Sequence, residues 1–372
     1  MVCRGFIVFI RRSVALAALL SVSALANAAP FTAGNVVVER LGTGAAALGS
    51  AATSVFLDEF NASGVLQQSL AMTATASGTA TSEGLINRSA DGGVLLVPGY
   101  GAAVGTASVG TSSAATAARE ANVVAAYGSV LRTPTAGTLL GGNNIRSAAS
   151  DHTTSIYLGG AAGVAYLDYA TGNATQVSTA NVRDLNVTNG QLYYSTGSTG
   201  AASGGATGVY ALGTGLQTSG SLTTTLIAAS TSPYAFLFAD LNAAIGGVDT
   251  LYVADDSTTA AGGGIRKFSK QANGSWSFNS VLATATAVRG LTGSVVNGQV
   301  QLFATSETKL YGVTDTGGYN ANLTGTLGTL ATAGANTVFR GVTLAPAVPE
   351  PETYGLALAG LALVGGLRLR RR

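Results

Sequence analysis

Between residues 30 and 345, short runs of β-branched and aromatic residues alternate with Gly/Ser/Thr/Asn turns, and helical periodicity is almost absent. Regular spacing of this kind predicts an all-β repeat. The repeat opens on an arginine: Asn87-Arg88-Ser89-Ala90, Ile145-Arg146-Ser147-Ala148, Val182-Arg183-Asp184-Leu185, Val288-Arg289-Gly290-Leu291 and Phe339-Arg340-Gly341-Val342. Phe238-Ala239-Asp240-Leu241 reads as a degenerate copy. Turns follow at Asp91-Gly92, Asn189-Gly190 and Asn297-Gly298, dipeptides that tolerate the positive φ angles of a tight hairpin, with Gly246-Gly247 in the degenerate copy. Second strands are expected around Leu95, Tyr157, Tyr193, Tyr252 and Phe303. Third strands are expected to carry Tyr127, Tyr166, Tyr210, Phe268 and Tyr311. Weaker fourth strands are expected near Gln176, Thr225, Ser277 and Gly328.

Four antiparallel strands at a period of about fifty residues make the unit of a β-propeller blade. The ends support closure. Phe339 to Leu344 reads as a first strand without successors, whereas Val36, Phe56 and Gln68 mark second, third and fourth strands without a first. Joined, they complete one blade and remove the exposed sheet edges. The expectation is a single all-β propeller over residues 29–345 with six blades. Seven is the alternative count, because the Gly/Ala-rich stretch 101–118 leaves the register open. A parallel β-helix or a sandwich competes, but no rung period of 20–25 residues is visible.

Composition agrees. The chain has 372 residues, 47% of them hydrophobic and 10% charged, so low charge does not mean disorder here. Its single cysteine, Cys3, lies in an N-terminal segment that reads as a leader (1–28). Arg4, Arg11 and Arg12 precede a short apolar run, and Ala26-Asn27-Ala28 is a small-x-small cleavage site, with cleavage between Ala28 and Ala29. A retained membrane anchor is the alternative. The Arg11-Arg12 pair fits a twin-arginine signal poorly. Cleavage would leave no cysteine, hence no disulfide, thiol nucleophile or cysteine metal site.

At the other end (346–372), Val348-Pro349-Glu350-Pro351-Glu352 precedes an apolar segment, 354–367, and then Arg368, Arg370, Arg371 and Arg372. A proline-rich marker, a glycine-interrupted span and a positive stop describe a weak membrane helix. This tail resembles the PEP-CTERM sorting signal of Gram-negative bacteria. The resemblance implies export through the secretion machinery, transient inner-membrane anchoring and cleavage by an exosortase near Pro349-Glu350-Pro351. It also implies release or transfer at the cell surface, often beside extracellular polysaccharide and biofilm production. The central region is similar to a recurrent group of such proteins with propeller-like repeats, on pieces such as Thr250-Leu251-Tyr252-Val253-Ala254-Asp255-Asp256 and Gly264-Ile265-Arg266-Lys267-Phe268. That likeness implies no particular activity. Membrane contact is expected only through the leader and the tail.

Removing both tails changes the charge. The whole chain is formally +2, but residues 29–348 hold 12 Lys and Arg against 15 Asp and Glu. No basic patch or motif for nucleic acid remains, and no such partner is expected.

Catalytic residue types are scarce. The one histidine, His152, sits in a polar turn; a multi-histidine metal site is thereby ruled out, and any Ser/His/Asp triad would have to use it, without a G-x-S-x-G elbow. Gly262-Gly263-Gly264 lacks the lysine of a phosphate loop. The sequons at Asn61 and Asn173 are expected by chance in a chain this rich in Ser and Thr. Asp240, Asp249, Asp255 and Asp256, with Asn242, fall in one repeat. They are oxygen ligands of the kind Ca²⁺ takes, or an acid pair for a glycosidase, although their spacing matches no EF-hand loop and turn acids are usually just solvated. No other cofactor is expected. Arg88, Arg146, Arg183, Arg289 and Arg340 should approach a ring at one end of the channel. There they either hold an anion, such as a carboxylated or sulfated sugar, or staple neighbouring blades. Two functions follow as expectations: a non-catalytic surface protein binding glycan or protein, or a propeller enzyme acting on extracellular polysaccharide as a lyase or hydrolase. A purely structural spacer is a third.

Overall fold

The computed structural model describes residues 29–152, 155–284 and 286–347. The leader with Ala28, the Pro349-Glu350-Pro351 motif and the apolar segment 354–367 lie outside the described residues. Among the described residues there is no α-helix, only three short 3-10 turns. No helix there is long and apolar enough to cross a membrane.

The described residues form 24 strands. β1 (Val36–Leu41), β2 (Ala52–Phe60) and β3 (Leu66–Ser77) begin the first blade. β4 (Asn87–Arg88), β5 (Val94–Gly101), β6 (Ala118–Ala125) and β7 (Val130–Arg132) form the second. β8 (Ile145–Ser150), β9 (Ser155–Gly160), β10 (Gly163–Asp168) and β11 (Ala174–Ser178) form the third. β12 (Leu185–Thr188), β13 (Gln191–Thr196), β14 (Gly208–Leu212) and β15 (Thr224–Ala229) form the fourth. β16 (Pro233–Ala239), β17 (Thr250–Asp255), β18 (Gly264–Lys270) and β19 (Trp276–Ala283) form the fifth. β20 (Gly290–Val296), β21 (Gln299–Thr305), β22 (Lys309–Asp315) and β23 (Gly328–Thr332) form the sixth. The last strand, β24 (Val338–Leu344), returns to pair antiparallel with β1 and completes the first blade.

The protein is therefore a six-bladed propeller closed by both ends of its chain, as the terminal strand fragments predicted. Each innermost strand touches the next around the ring, from β24 through β4, β8, β12, β16 and β20 back to β24. The 12-residue β3 reaches past its blade to pair at Thr75 with Tyr100 of β5, joining the first two blades at their edge. Asn189-Gly190 and Asn297-Gly298 make the tight turns their sequence predicts, with φ of 49° and 71°, and 52° and 76°.

Alternation along the strands buries apolar residues between blades rather than in one central core. Six apolar clusters fill the six blade interfaces. Leu96, Ile156 and Leu158 pack between the second and third blades, and Val38, Phe303 and Val342 pack between the sixth and first. Burial of this kind contributes about 25 cal/mol per Å² and supplies the cohesion that no disulfide provides. Tyr127, expected on a third strand, lies just beyond β6 and is exposed.

The innermost strands all run in one direction along the axis. We call the end where they start the upper face and the end where they finish the lower face.

Candidate functional site

Backbone hydrogen bonds between successive innermost strands fix which residues are equivalent. The Gly341 N–H donates to the Gly84 carbonyl (2.8 Å), Leu85 to Arg146 (2.9 Å) and Ala235 to Arg289 (3.0 Å). One level of the upper face is thus occupied by Arg340, Gly84, Arg146, Arg183, Tyr234 and Arg289, one per blade. Four of the five predicted arginines share this level. Arg88 does not: it lies four residues further along, at the lower face, where Nη1 donates to the Ala345 carbonyl (3.3 Å). The degenerate copy is displaced in the same way, because Tyr234, and not Ala239, holds the equivalent place.

The guanidinium groups of Arg183 and Arg289 flank Tyr234, and Arg146 stands close enough to feel the charge of Arg183. Arg183 lies 4.1 Å from the tyrosine ring centroid and Arg289 lies 5.4 Å from it. Arg289 Nε donates to Asp256 Oδ2 (2.9 Å), and Arg183 Nη1 stands 4.0 Å from Oδ1 of the same carboxylate. One acid thus serves two cations. Each arginine also stitches blades. Arg146 Nη1 donates to Asn181 Oδ1 (2.7 Å) and to the Val182 carbonyl (2.9 Å), and Arg183 Nη1 donates to Ser232 Oγ (2.7 Å) and to the Pro233 carbonyl (3.2 Å). Burial, with Arg183 nearby, holds the Arg146 guanidinium below its ordinary pKa. Its Nε is buried without a protein partner.

Arg340 is buried. It donates to the Gly78 carbonyl (3.1 Å) and reaches Glu307 (3.4 Å). Beside it sits Glu39, fully buried on β1 with neither oxygen hydrogen-bonded. Burial pushes this carboxyl up to about 8; Arg340 opposes that rise and Glu83 adds to it. Glu83 is raised by burial too, although Tyr100 OH (2.6 Å), Asn144 Nδ2 (2.6 Å) and the Ser77 N–H (2.8 Å) all donate to it. Gly84 closes over this pair. A Cβ there would fall 2.2 Å from Glu39 Oε1, and its φ of +77° already favours glycine. The sequence reading missed both acids. The signal for Glu39 was present: one carboxylate within the apolar strand Val36-Val37-Val38-Glu39.

Below the arginines, Asn87 Nδ2 spans the channel to Asp184 Oδ1 (3.1 Å) and the Leu185 carbonyl (2.9 Å), which tie the second blade to the fourth. Asp184 is raised to about 7 by burial, against hydrogen bonds from Ser147 and Asn87. Beneath this tie a cavity of about 290 Å³ opens at the lower face, lined by Arg88, Asn186, Thr188, Phe238, Thr292 and Thr343 among others. His152 lies at the same face in a turn, 2.7 Å from Asp91.

The four aspartates of the fifth blade are not brought together. β17 runs from the lower face to the upper, so it parts Asp240 and Asp249 from Asp255 and Asp256 by roughly 20 Å at 3.3 Å per residue. Asp249 accepts the Leu241 and Asn242 N–H groups and the Thr250 hydroxyl, and Asp255 accepts Ser230 Oγ and the Ser232 N–H. Asp256 is engaged by arginine, and Asp240 is exposed. Among the described residues no group of three or more His, Cys, Asp or Glu could hold a metal ion.

Residues 347–372 match the PEP-CTERM protein-sorting motif. The protein is accordingly exported, sorted through C-terminal membrane anchoring and processed by exosortase. Among curated proteins none matches the chain. Among solved structures, a chain of a nidogen/laminin complex is similar over 84% of this chain and 98% of its own, at 9% identity and a TM-score of 0.50. A putative 6-phosphogluconolactonase from Bacteroides fragilis is similar over 80% and 82%, at 14% identity and 0.44. The WD40 β-propeller domain of Doa1 is similar over 65% and 68%, at 13% identity and 0.37. At these identities the likeness is one of fold.

Proposed function

We propose that this exosortase-sorted propeller is a non-catalytic binding module of the Gram-negative cell surface, and that its upper face holds an acidic extracellular polysaccharide. The reading is supported chiefly by the cluster at Tyr234, where Arg183 and Arg289 flank the ring with Arg146 close by, and where among the described residues Asp256 is the one carboxylate paired with Arg183 and Arg289. Guanidinium groups pair bidentately with carboxylate and sulfate, and an aromatic ring among them can stack on a sugar face. Their bonds to a neighbouring blade position them in advance, so little ordering is left for the ligand to impose.

The test is calorimetric titration of the mature protein with uronate-rich and sulfated polysaccharides, beside Arg289→Gln and Tyr234→Leu. Binding weakened at least tenfold in variants that keep the wild-type thermal transition is the expected result. Unchanged binding would move the site elsewhere. Shortened or unsaturated sugar products would replace this reading with a polysaccharide-cleaving enzyme.

A further inference from the structure

Both ends of the described chain leave the propeller on one face. At the N-terminal side, the Phe31 N–H donates to the Ala126 carbonyl (2.8 Å), just past the lower end of β6, and Gln68 Nε2 holds the Ala29 carbonyl (2.9 Å). At the C-terminal side, β24 finishes at the lower face. The segment after it is held there: the Ala345 N–H donates to the Asn35 carbonyl (2.9 Å), Arg88 holds the Ala345 carbonyl, and the Ala347 N–H donates to the Gly92 carbonyl (2.8 Å). The arginine level lies at the opposite end of every innermost strand.

We infer that, while the sorting tail anchors the protein, the lower face lies against the lipid bilayer and the arginine face points away from it. This rests on the sorting motif and not on the glycan reading. Seven Cα steps separate Ala347, the last residue fastened to the ring, from Tyr354, the first of the apolar segment. Fully extended they span about 25 Å. Turning the upper face to the membrane would take the tail from the innermost strand out across three strand spacings, about 14 Å, and then up the blade. The seven residues of β24 alone rise about 23 Å. The path of about 37 Å exceeds the tether, so inversion is excluded by length. Arg88, expected to bind ligand, acquires a different role: with Gly92 it fastens the segment that carries the sorting signal and shortens the free tether. The arginine face stays open to large polymers before the tail is cut.

The test uses the leader-free chain with its tail intact, in phosphatidylcholine vesicles doped with a headgroup-linked fluorescence quencher. The chain then has no native cysteine, so single labels can be placed at exposed alanines: Ala170→Cys and Ala244→Cys at the lower face, Ala202→Cys and Ala260→Cys at the upper. Quenching at least threefold stronger at the two lower positions is expected. Equal quenching at both faces, or stronger quenching at the upper one, would overturn the inference. Inserting about 20 Gly/Ser residues after Ala347 should erase the difference, because such a linker's extended length passes the path above. A difference that survives the insertion would also overturn it, since the tether would not then be its cause.

Discussion

Val38, from the first strand of the propeller, pairs with Val342, from the last, and both are almost fully buried. This contact closes the ring. β24 covers the open edge of β1, and its Phe339 meets Phe60 edge-on at 6.0 Å. Deleting residues 338–347 should therefore uncover Phe60, Phe303 and Leu310 together with an unpaired strand edge. The expected product aggregates on gel filtration and shows no cooperative thermal transition. Val342→Ala should keep the fold and lower its stability by about 2 kcal/mol in urea titration. A deletion variant melting like the full chain would show that the ring stands without closure.

Glu39 gives the protein a pH dependence of definite sign. Its carboxyl is raised from 4.5 to about 8 in the folded chain, first by burial. Between those values the folded state holds a proton that the unfolded state has released. Its contribution is thus complete in acid, falls as pH rises, and levels off above about 8. The slope is on the order of 1 kcal/mol per pH unit where it is steepest. Glu39→Gln, a neutral isostere, should match the wild type at pH 4 and exceed it increasingly up to about pH 8, the gap then staying constant to pH 9. Urea midpoints across that range decide it: parallel curves would mean that the carboxyl is not protonated in the fold. Asp184 acts with the same sign but remains in both proteins, whereas Glu83, which faces Glu39 electrostatically, titrates together with it, so the difference reports the Glu39–Glu83 pair.

Between the fifth and sixth blades, Lys267 Nζ lies 2.7 Å from Asp315 Oδ2, with both side chains inaccessible to solvent. Tyr252 OH (2.7 Å) and the Gly317 and Thr324 N–H groups also donate to this carboxylate. Burial pushes Asp315 up, yet the hydrogen bonds from Lys267 and its neighbours hold it below the usual range. Its stabilising contribution is present above the ordinary aspartate pKa and is lost as pH falls through the depressed folded value. Lys267→Met should cost about 3–5 kcal/mol by leaving the buried charge uncompensated. It should also move acid unfolding to a higher pH. A neutral substitution would mean that tyrosine and backbone donors alone satisfy the carboxylate.

The strand pattern was legible because alternation and Asn-Gly turns act locally, and ring closure was legible because each terminal fragment lacked the strands the other supplied. Register in two repeats was not. The four-residue opening motif rests on one arginine, and Arg88 met it by coincidence. Spacing carried the missing information: two residues separate Arg88 from the Asp91-Gly92 turn, against five between Arg183 and Asn189 and seven between Arg289 and Asn297. Two residues leave no length for the strand to run after Arg88, so the place held by the other arginines falls before it, at Gly84. The aspartate grouping misled for a geometric reason, since neighbours in sequence stand at opposite ends of a strand that crosses the whole blade. The tie between Asn87 and Asp184 depends on two blades that do not adjoin, a relationship no local pattern records.

The shared first blade also orders events in time. A chain delivered from its N-terminus can stack its second to sixth blades as they emerge, but the three strands of the first must wait for β24. That strand is followed almost at once by the sorting signal. A closed ring therefore reports that the chain has emerged at least as far as β24, and a product truncated before that strand lacks the closing strand and the sorting signal together.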